Sequence, residues 1–160
     1  MLFAGFIFSA GGDIALSFTH KGEQFFLMGL GSFLVAHVLY VIAFARDFEF
    51  SMGNLPLMIV WTVFAVAMAV VLFPKLGEMR IPVFVYIAVI LTMVVMATGW
   101  QGDRPWLLLA GAVLFMLSDS MIAVDKFLTP ISWSRYFIMA TYYAGQFMIC
   151  RAFVPQAVWS

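Results

Sequence analysis

Charged residues are scarce in this sequence. Only 10% of the 160 residues are charged, 65% are hydrophobic, and the mean hydropathy is +1.07. A soluble domain is about a quarter charged and about half apolar, so the composition excludes an ordinary soluble protein and predicts an integral membrane protein. Eight basic and eight acidic residues cancel each other, and no basic patch indicates a nucleic-acid partner.

Cysteine and histidine are nearly absent as well. The single cysteine, Cys150, excludes an internal disulfide and a cysteine-based zinc site. The two histidines, His20 and His37, are far apart and form no metal-binding pair on one helix. A Gly-x-Ser-x-Gly motif for a serine nucleophile is also missing. The sequence therefore predicts neither a metal nor another cofactor, and leaves any chemistry to other side chains.

What the chain has in abundance is long apolar segments. Six of them are separated by short polar connections: 2–18, 25–44, 55–73, 82–98, 106–124 and 131–153. Most are long enough to cross about 30 Å of hydrocarbon as a helix, and they lack the alternation that a membrane β-barrel requires. We predict an all-α, polytopic transmembrane bundle of about six helices that forms one domain over residues 1–160.

The charges of the connections predict an orientation. One face of the bundle carries five basic residues and the other carries three, which places the first face in the cytoplasm. The five are Lys21, Lys75, Arg80, Lys126 and Arg135, and the three are Arg46, Arg104 and Arg151.

Two aspartates interrupt the apolar segments. Asp13 lies in the first segment and Asp119 in the fifth, and a carboxylate in hydrocarbon is costly unless it is paired, protonated or facing a wet cavity. Two carboxyls in one low-dielectric pocket do not both ionise readily, so one would donate a proton and the other would act as a base. We predict that both line one cavity as a catalytic pair. The alternative is a structural role in which each aspartate joins helices through Ser9, Ser118 or Ser120.

An internal repeat places the two aspartates in equivalent positions. Residues 4–5 and 110–111 are both Ala-Gly, and each pair precedes its aspartate by the same number of residues, at an offset of 106 (119 − 13). Two parallel repeats of this kind would hold both aspartates at similar depth toward the same membrane face. The alternative is chance similarity between Gly- and Ala-rich helices.

Polar side chains accompany the aspartates on two other segments. His37 and Tyr40 are three residues apart and share one face of a helix, and Tyr142, Tyr143 and Gln146 have the matching place in the last segment. The repeat offset of 106 matches His37 with Tyr143 and Tyr40 with Gln146. Counting residues along the helix places His37 about 18 Å deep. That depth is below the aspartates, so we expect His37 in a separate, deeper polar layer with a supporting role.

The remaining candidates lie near the aspartates along the chain. Tyr86 is predicted at the aspartate level, as part of the pocket wall, and Ser9 and Ser118 are supporting candidates. Gly12 belongs to a group of small residues beside Asp13, which indicates close helix packing. Room for a substrate is the alternative explanation of these small residues.

Two motifs of this sequence resemble the YhhN family, the bacterial relatives of the animal lysoplasmalogenases. The first is Gly12-Asp13 followed by Phe25-x3-Gly29-x3-Phe33-x2-Ala36-His37-x2-Tyr40-x2-Ala43-Phe44. The second is Gly111-Ala112-x2-Phe115-x2-Ser118-Asp119, followed later by Tyr142-Tyr143-x2-Gln146. The resemblance covers essentially the whole chain.

The resemblance implies a fold, a location and a reaction. Family members are polytopic helical membrane proteins, usually with eight crossings, and characterised members hydrolyse the vinyl ether bond of lysoplasmalogens to a fatty aldehyde and a glycerophospho-base. It implies that Asp13 and Asp119 are the two motif aspartates, that the substrate is a membrane lysolipid, and that the chain is multi-pass in a bacterial inner (plasma) membrane. Because the sequence enters almost directly at the Gly-Asp helix, we expect one or two preceding helices of the family pattern to be missing.

Two other functions are compatible with the residues alone. A small proton-coupled transporter would also have parallel repeats with acidic residues inside the membrane. A non-catalytic membrane scaffold would use the aspartates only to join helices. The sequence predicts no oligomeric state.

Overall fold

Six α-helices follow one another along residues 1–154, the part of the chain that this computed structural model describes. They are α1 (Leu2–Ser17), α2 (Glu23–Phe44), α3 (Leu55–Leu72), α4 (Arg80–Thr98), α5 (Pro105–Phe127) and α6 (Ser134–Phe153). The prediction of an all-α chain with six helices is confirmed, and the bounds agree with the apolar segments to within three residues. Pro56 and Pro105 occupy the first turns of α3 and α5, where the missing N–H has no partner within the helix.

Four of these helices are long and apolar enough to cross a membrane. With their flanking turns they are Glu23–Asp47, Leu55–Lys75, Gly77–Thr98 and Pro105–Phe127, as judged by length and composition within residues 1–154. The first helix, with 16 residues, is apolar but shorter, and α6 is not among the four. The chain is therefore a multi-pass membrane protein, whereas crossings by α1 and α6 and the orientation from loop charges stay predictions.

The exterior of the bundle is apolar and several of its most buried groups are polar. Phe3 is 83% exposed and Ile81 is 77% exposed, whereas the side chains of Ser9, His37 and Ser118 are fully or almost fully buried. This arrangement is expected where the surroundings are lipid, because polar groups in membrane helices face the bundle interior. The polar residues inside this bundle are therefore the places to look for function.

Neighbouring helices pack in pairs that hold this interior together. The first helix packs chiefly on α2 and α5 chiefly on α6, while α4 lies against α2, α3 and α5. At the α5–α6 crossing, a methyl group on Gly111 would lie 2.9 Å from the Gly145 carbonyl oxygen, so the two backbones are in direct contact. A methyl group on Gly12 would lie 2.6 Å from the Phe33 ring. Close packing, rather than room for a substrate, therefore accounts for Gly12. The internal repeat stays a prediction.

Candidate active site

Asp119 lies at the centre of a polar group that is built from three helices. Its Oδ2 accepts a hydrogen bond of 2.8 Å from the Tyr86 hydroxyl on α4, and His37 Nε2 on α2 lies 3.3 Å from the same oxygen. All three residues are buried, with His37 at 0% and Asp119 at 5% exposure. A buried carboxyl is costly unless it is paired or protonated, and these two neighbours provide the pairing.

The hydrogen bonding of His37 determines which ring nitrogen carries a proton. Nδ1 lies 2.6 Å from the Phe33 carbonyl oxygen, which only accepts, so Nδ1 donates. In a neutral ring Nε2 then has a lone pair, and this lone pair faces Asp119. The Nε2–Oδ2 contact lacks the alignment of a hydrogen bond. His37 Nε2 and Asp119 Oδ2 are therefore close together without a hydrogen bond between them.

The position of His37 corrects the expectation of a separate, deeper polar layer. Its ring contacts Asp119 directly, so it belongs to the same group as that aspartate. Helix bounds do not explain the difference, because α5 ends three residues later and α2 begins two residues earlier than predicted, and these shifts almost cancel. Residue counting equals membrane depth only for a helix without tilt, so it could not relate the depths of residues on different helices.

A second polar group lies one helical turn farther along α2. The Tyr40 hydroxyl donates to Gln146 Oε1 on α6 at 3.0 Å and lies 3.3 Å from Ser9 Oγ on α1. The carboxyl of Asp13 interacts with the hydroxyl of Tyr142, and Tyr142 also interacts with Gln146. Four predicted supporting residues (Ser9, Tyr40, Tyr142 and Gln146) therefore meet around Asp13, and together they join α1, α2 and α6.

Aromatic rings pack beside both polar groups. The Phe115 ring lies 4.6 Å from the His37 ring and 5.1 Å from the Tyr142 ring, measured between centroids. The two groups also touch each other, because the His37 and Tyr40 ring centroids lie 6.3 Å apart. The two aspartates thus have different hydrogen-bonding partners in neighbouring groups, and Asp119 acts electrostatically on Asp13.

Two predicted supporting residues lie outside both groups. Ser118 is fully buried and donates to the Ile138 carbonyl oxygen at 3.2 Å, which joins α5 to α6. Tyr143 is 54% exposed and contacts the neighbouring Tyr142 ring. The repeat had matched Tyr143 with His37, but Tyr143 lies on the outer surface. Ser120 donates to the Met116 carbonyl oxygen of its own helix, so both Ser118 and Ser120 bond to backbone carbonyl oxygens.

An apolar pocket opens beside Asp119. It lies between α1, α2, α3, α4 and α5, and is apolar except for Tyr86, Asp119 and Ser120. The lining comes from the ends of α1, α3 and α5 and the first halves of α2 and α4. The pocket therefore lies toward the face that the loop charges place in the cytoplasm. Asp13 is not among the lining residues, so a cavity shared by both aspartates stays a prediction.

One wall of the pocket, on α2, leads to His37 and was not predicted from the sequence. Phe26, Leu30 and Phe33 line the pocket, and His37 continues their stripe at spacings of three and four residues. This spacing puts all four residues on one face of α2. The stripe was readable in the sequence, but so many residues of α2 are apolar that no single face stands out.

Comparison with known proteins gives a consistent family assignment. The chain is 36% identical to a lysoplasmalogenase TMEM86A of Bos taurus over 96% of this chain, and 34% identical to a lysoplasmalogenase TMEM86B of Homo sapiens over 78% of this chain. It is 32% identical to a lysoplasmalogenase of Mycobacterium tuberculosis (strain CDC 1551 / Oshkosh) over 80% of this chain. These matches cover 65%, 52% and 51% of the relatives, so the chain spans between half and two thirds of their length. No solved structure matches the chain.

The family pattern itself extends over almost every described residue. It matches residues 1–153, which includes both aspartates, the Asp119 group and the whole pocket. The chain therefore belongs to the YhhN family.

Proposed function

We propose that this chain is a membrane hydrolase that cleaves the vinyl ether bond of a lysoplasmalogen-type lysolipid to a fatty aldehyde and a glycerophospho-base. The observation that carries the proposal is the placement of Asp119. This buried carboxyl borders an apolar pocket and is held by Tyr86 and His37. Relatives that bear the name lysoplasmalogenase support the same substrate class. A lysolipid is a suitable occupant because its single apolar chain fits an apolar pocket with few polar groups.

The first chemical step is proton transfer to carbon. In a vinyl ether the ether oxygen donates electron density to the double bond, so the carbon farther from oxygen is basic. Protonated Asp119 gives its proton to that carbon: its O–H bond breaks, a C–H bond forms, and the π electrons make the new bond. The neighbouring carbon becomes part of an oxocarbenium ion, and Asp119 is left as a carboxylate.

The second step is addition of water. Water attacks the oxocarbenium carbon and transfers a proton to the Asp119 carboxylate, which restores the acid and gives a hemiacetal. The carbon–oxygen bond to glycerol then breaks as the glycerol oxygen gains a proton and the hemiacetal hydroxyl loses one. One water is consumed and no redox change occurs. General acid–base catalysis of this kind contributes about 10²–10⁴-fold to a rate.

The neighbouring residues have distinct roles in this proposal. Tyr86 fixes the orientation of the Asp119 carboxyl by its hydrogen bond, and His37 has a supporting role, with its Nε2 3.3 Å from the same oxygen. Asp13 is the second carboxyl, within electrostatic range of Asp119, and a negative charge there would stabilise the cationic intermediate. No metal or other cofactor enters the steps.

Carbon protonation can be tested by isotope labelling. The chain is purified in a maltoside detergent and incubated with 1-alkenyl glycerophosphocholine in D₂O, and the aldehyde is reduced at once and analysed by mass spectrometry. We expect one deuterium at the carbon next to the former aldehyde carbon. Asp119→Asn should lower turnover by at least about 10²-fold, and Asp103→Asn, at an exposed position on the opposite face, should leave it unchanged.

Other outcomes would contradict the proposal in different ways. Aldehyde without deuterium would exclude proton transfer to carbon. Full turnover by Asp119→Asn would exclude this carboxyl as the acid, and full turnover by Asp13→Asn would exclude the two-carboxyl mechanism. Transport of the lipid across liposomes without aldehyde release would favour the transporter alternative.

A further inference from the structure

A basic residue lies beside the pocket wall. Lys126 is on α5, and its Nζ lies 5.1 Å from the centroid of the Phe26 ring. Phe26 lines the pocket, as does Phe127, the residue next to Lys126. The Phe26 and Phe127 rings meet edge to face with centroids 5.9 Å apart. Lys126 therefore lies next to the part of the pocket wall that is formed by the last turn of α5.

The charge of Lys126 is only weakly compensated by its protein neighbour. Its Nζ lies 3.8 Å from Glu23 Oε1, and the side chain of Glu23 is 91% exposed. An exposed ion pair contributes little because water competes for both charges. The adjacent carboxylate, Asp125, instead accepts a hydrogen bond of 2.7 Å from the Ile131 N–H. A phosphate that a bound lipid brings close to Lys126 can therefore compete with Glu23 for its charge.

Lys126 and Asp119 are separated by a length that matches the proposed substrate. They are seven residues apart on α5, two helical turns, so they lie on nearly the same face about 10 Å apart along the axis. In a lysoplasmalogen, seven bonds join the phosphorus to the carbon that must be protonated, or about 8 Å at about 1.2 Å of reach per bond. The flexible lysine side chain can span the difference of about 2 Å between these two lengths.

We infer, on the basis of the function proposed above, that Lys126 binds the phosphate of the lysolipid and thereby sets the depth at which the vinyl ether reaches Asp119. The phosphate then lies at the end of α5 and the ether lies two turns deeper. The alkenyl chain continues along the apolar wall formed by α3 and α4. A lipid without phosphate would lack this contact, so the depth of its ether in the pocket would not be fixed.

Two other cations are placed over aromatic rings and provide a comparison. Lys21 lies 4.6 Å from the Phe18 ring centroid, and Arg80 lies 4.6 Å from the Phe73 ring centroid. Neither Phe18 nor Phe73 lines the pocket. Lys21 belongs to the same predicted cytoplasmic face as Lys126, so Lys21→Met is a matched control for the general effect of removing a surface lysine.

Binding of analogues that cannot react tests Lys126 separately from turnover. The 160-residue chain in maltoside detergent is titrated with 1-O-hexadecyl glycerophosphocholine and with 1-O-hexadecylglycerol, which has no phosphate, and tryptophan fluorescence gives both dissociation constants. We expect Lys126→Met to weaken binding of the phospholipid about tenfold, the effect of losing one charge-assisted contact. Binding of hexadecylglycerol should not change. Lys126→Arg should keep most of the phosphate preference, and Lys21→Met should keep all of it.

The possible outcomes separate this inference from the proposed reaction. Equal weakening of both lipids by Lys126→Met, no weakening at all, or the same weakening by Lys21→Met would overturn the role of Lys126. Thermal unfolding of each variant shows whether a loss of binding comes from misfolding. If Lys126→Met is misfolded, the phosphate preference of Lys126→Arg decides whether a positive charge at this position binds the phosphate. If the chain releases no aldehyde but the phosphate preference depends on Lys126, the reaction is wrong and the lipid site stands.

Discussion

Replacement of Tyr86 by phenylalanine tests the Asp119 group most directly. The change removes one oxygen atom and keeps the ring, whose centroid lies 5.4 Å from that of His37. The lost contact is the 2.8 Å hydrogen bond to Asp119 Oδ2. In the proposed reaction Asp119 becomes a carboxylate as it gives up its proton, and a hydrogen bond to a charged group is worth about 1.5–3 kcal/mol. At about 1.4 kcal/mol per tenfold change in rate, kcat should fall about 10- to 150-fold. His37 remains beside the carboxyl without hydrogen-bond alignment, so it cannot fix the orientation alone.

The assay follows aldehyde release at saturating 1-alkenyl lysolipid, together with thermal unfolding of each variant. Tyr143→Phe is the matched control, because it removes the same atom from a tyrosine that is 54% exposed. We expect the control to keep the wild-type kcat. If Tyr86→Phe, properly folded, stays within about twofold of wild type in kcat, the hydrogen bond does not position the acid, and the proposed role of Tyr86 is wrong.

Two stability predictions follow from the helix contacts. Gly12→Ala should lower the free energy of unfolding by about 1–3 kcal/mol, because the added methyl group would lie 2.6 Å from the Phe33 ring. The control is Gly31→Ala, where no atom lies within 4 Å of the added methyl group, and it should raise stability by about 0.5–1 kcal/mol. Ser118→Ala should cost about 1 kcal/mol by removing the hydrogen bond to Ile138, with kcat unchanged. Denaturant titration in detergent measures the free energy of unfolding of all three variants. A loss of turnover in a stable Ser118→Ala protein would contradict the assignment of Ser118 as a residue that only joins α5 to α6.

The helices were predictable because each apolar segment is bounded by proline or polar residues. The bounds of α3 differ from the prediction by one residue, and those of α4 by two. A continuous apolar stretch of this length has few ways to satisfy its backbone in a membrane, and the helix is the one that needs no partner segment. Length and composition alone therefore determine most of the secondary structure.

The partners of the polar residues were not predictable in the same way. Sequence spacing places Tyr40 and His37 on one face of α2, but it does not show which helix packs against that face. Tyr40 meets Gln146, although the repeat treats these two as equivalents rather than as partners. The repeat matches Tyr143 with His37, yet Tyr143 is exposed and His37 is buried. Helix packing decides these contacts, and packing in a membrane depends on small residues and shape more than on a hydrophobic face.

The glycine contact at the α5–α6 crossing has a mechanical consequence. Where two backbones touch, at Gly111 and Gly145, the helices cannot approach further. Asp119 lies eight residues beyond this contact, about 12 Å along α5. A side chain at Gly145 would push α5 and α6 apart and is expected to displace the Asp119 carboxyl from Tyr86 and His37 without touching them. Two glycines outside the pocket lining thus contribute to the position of the acid of the proposed reaction.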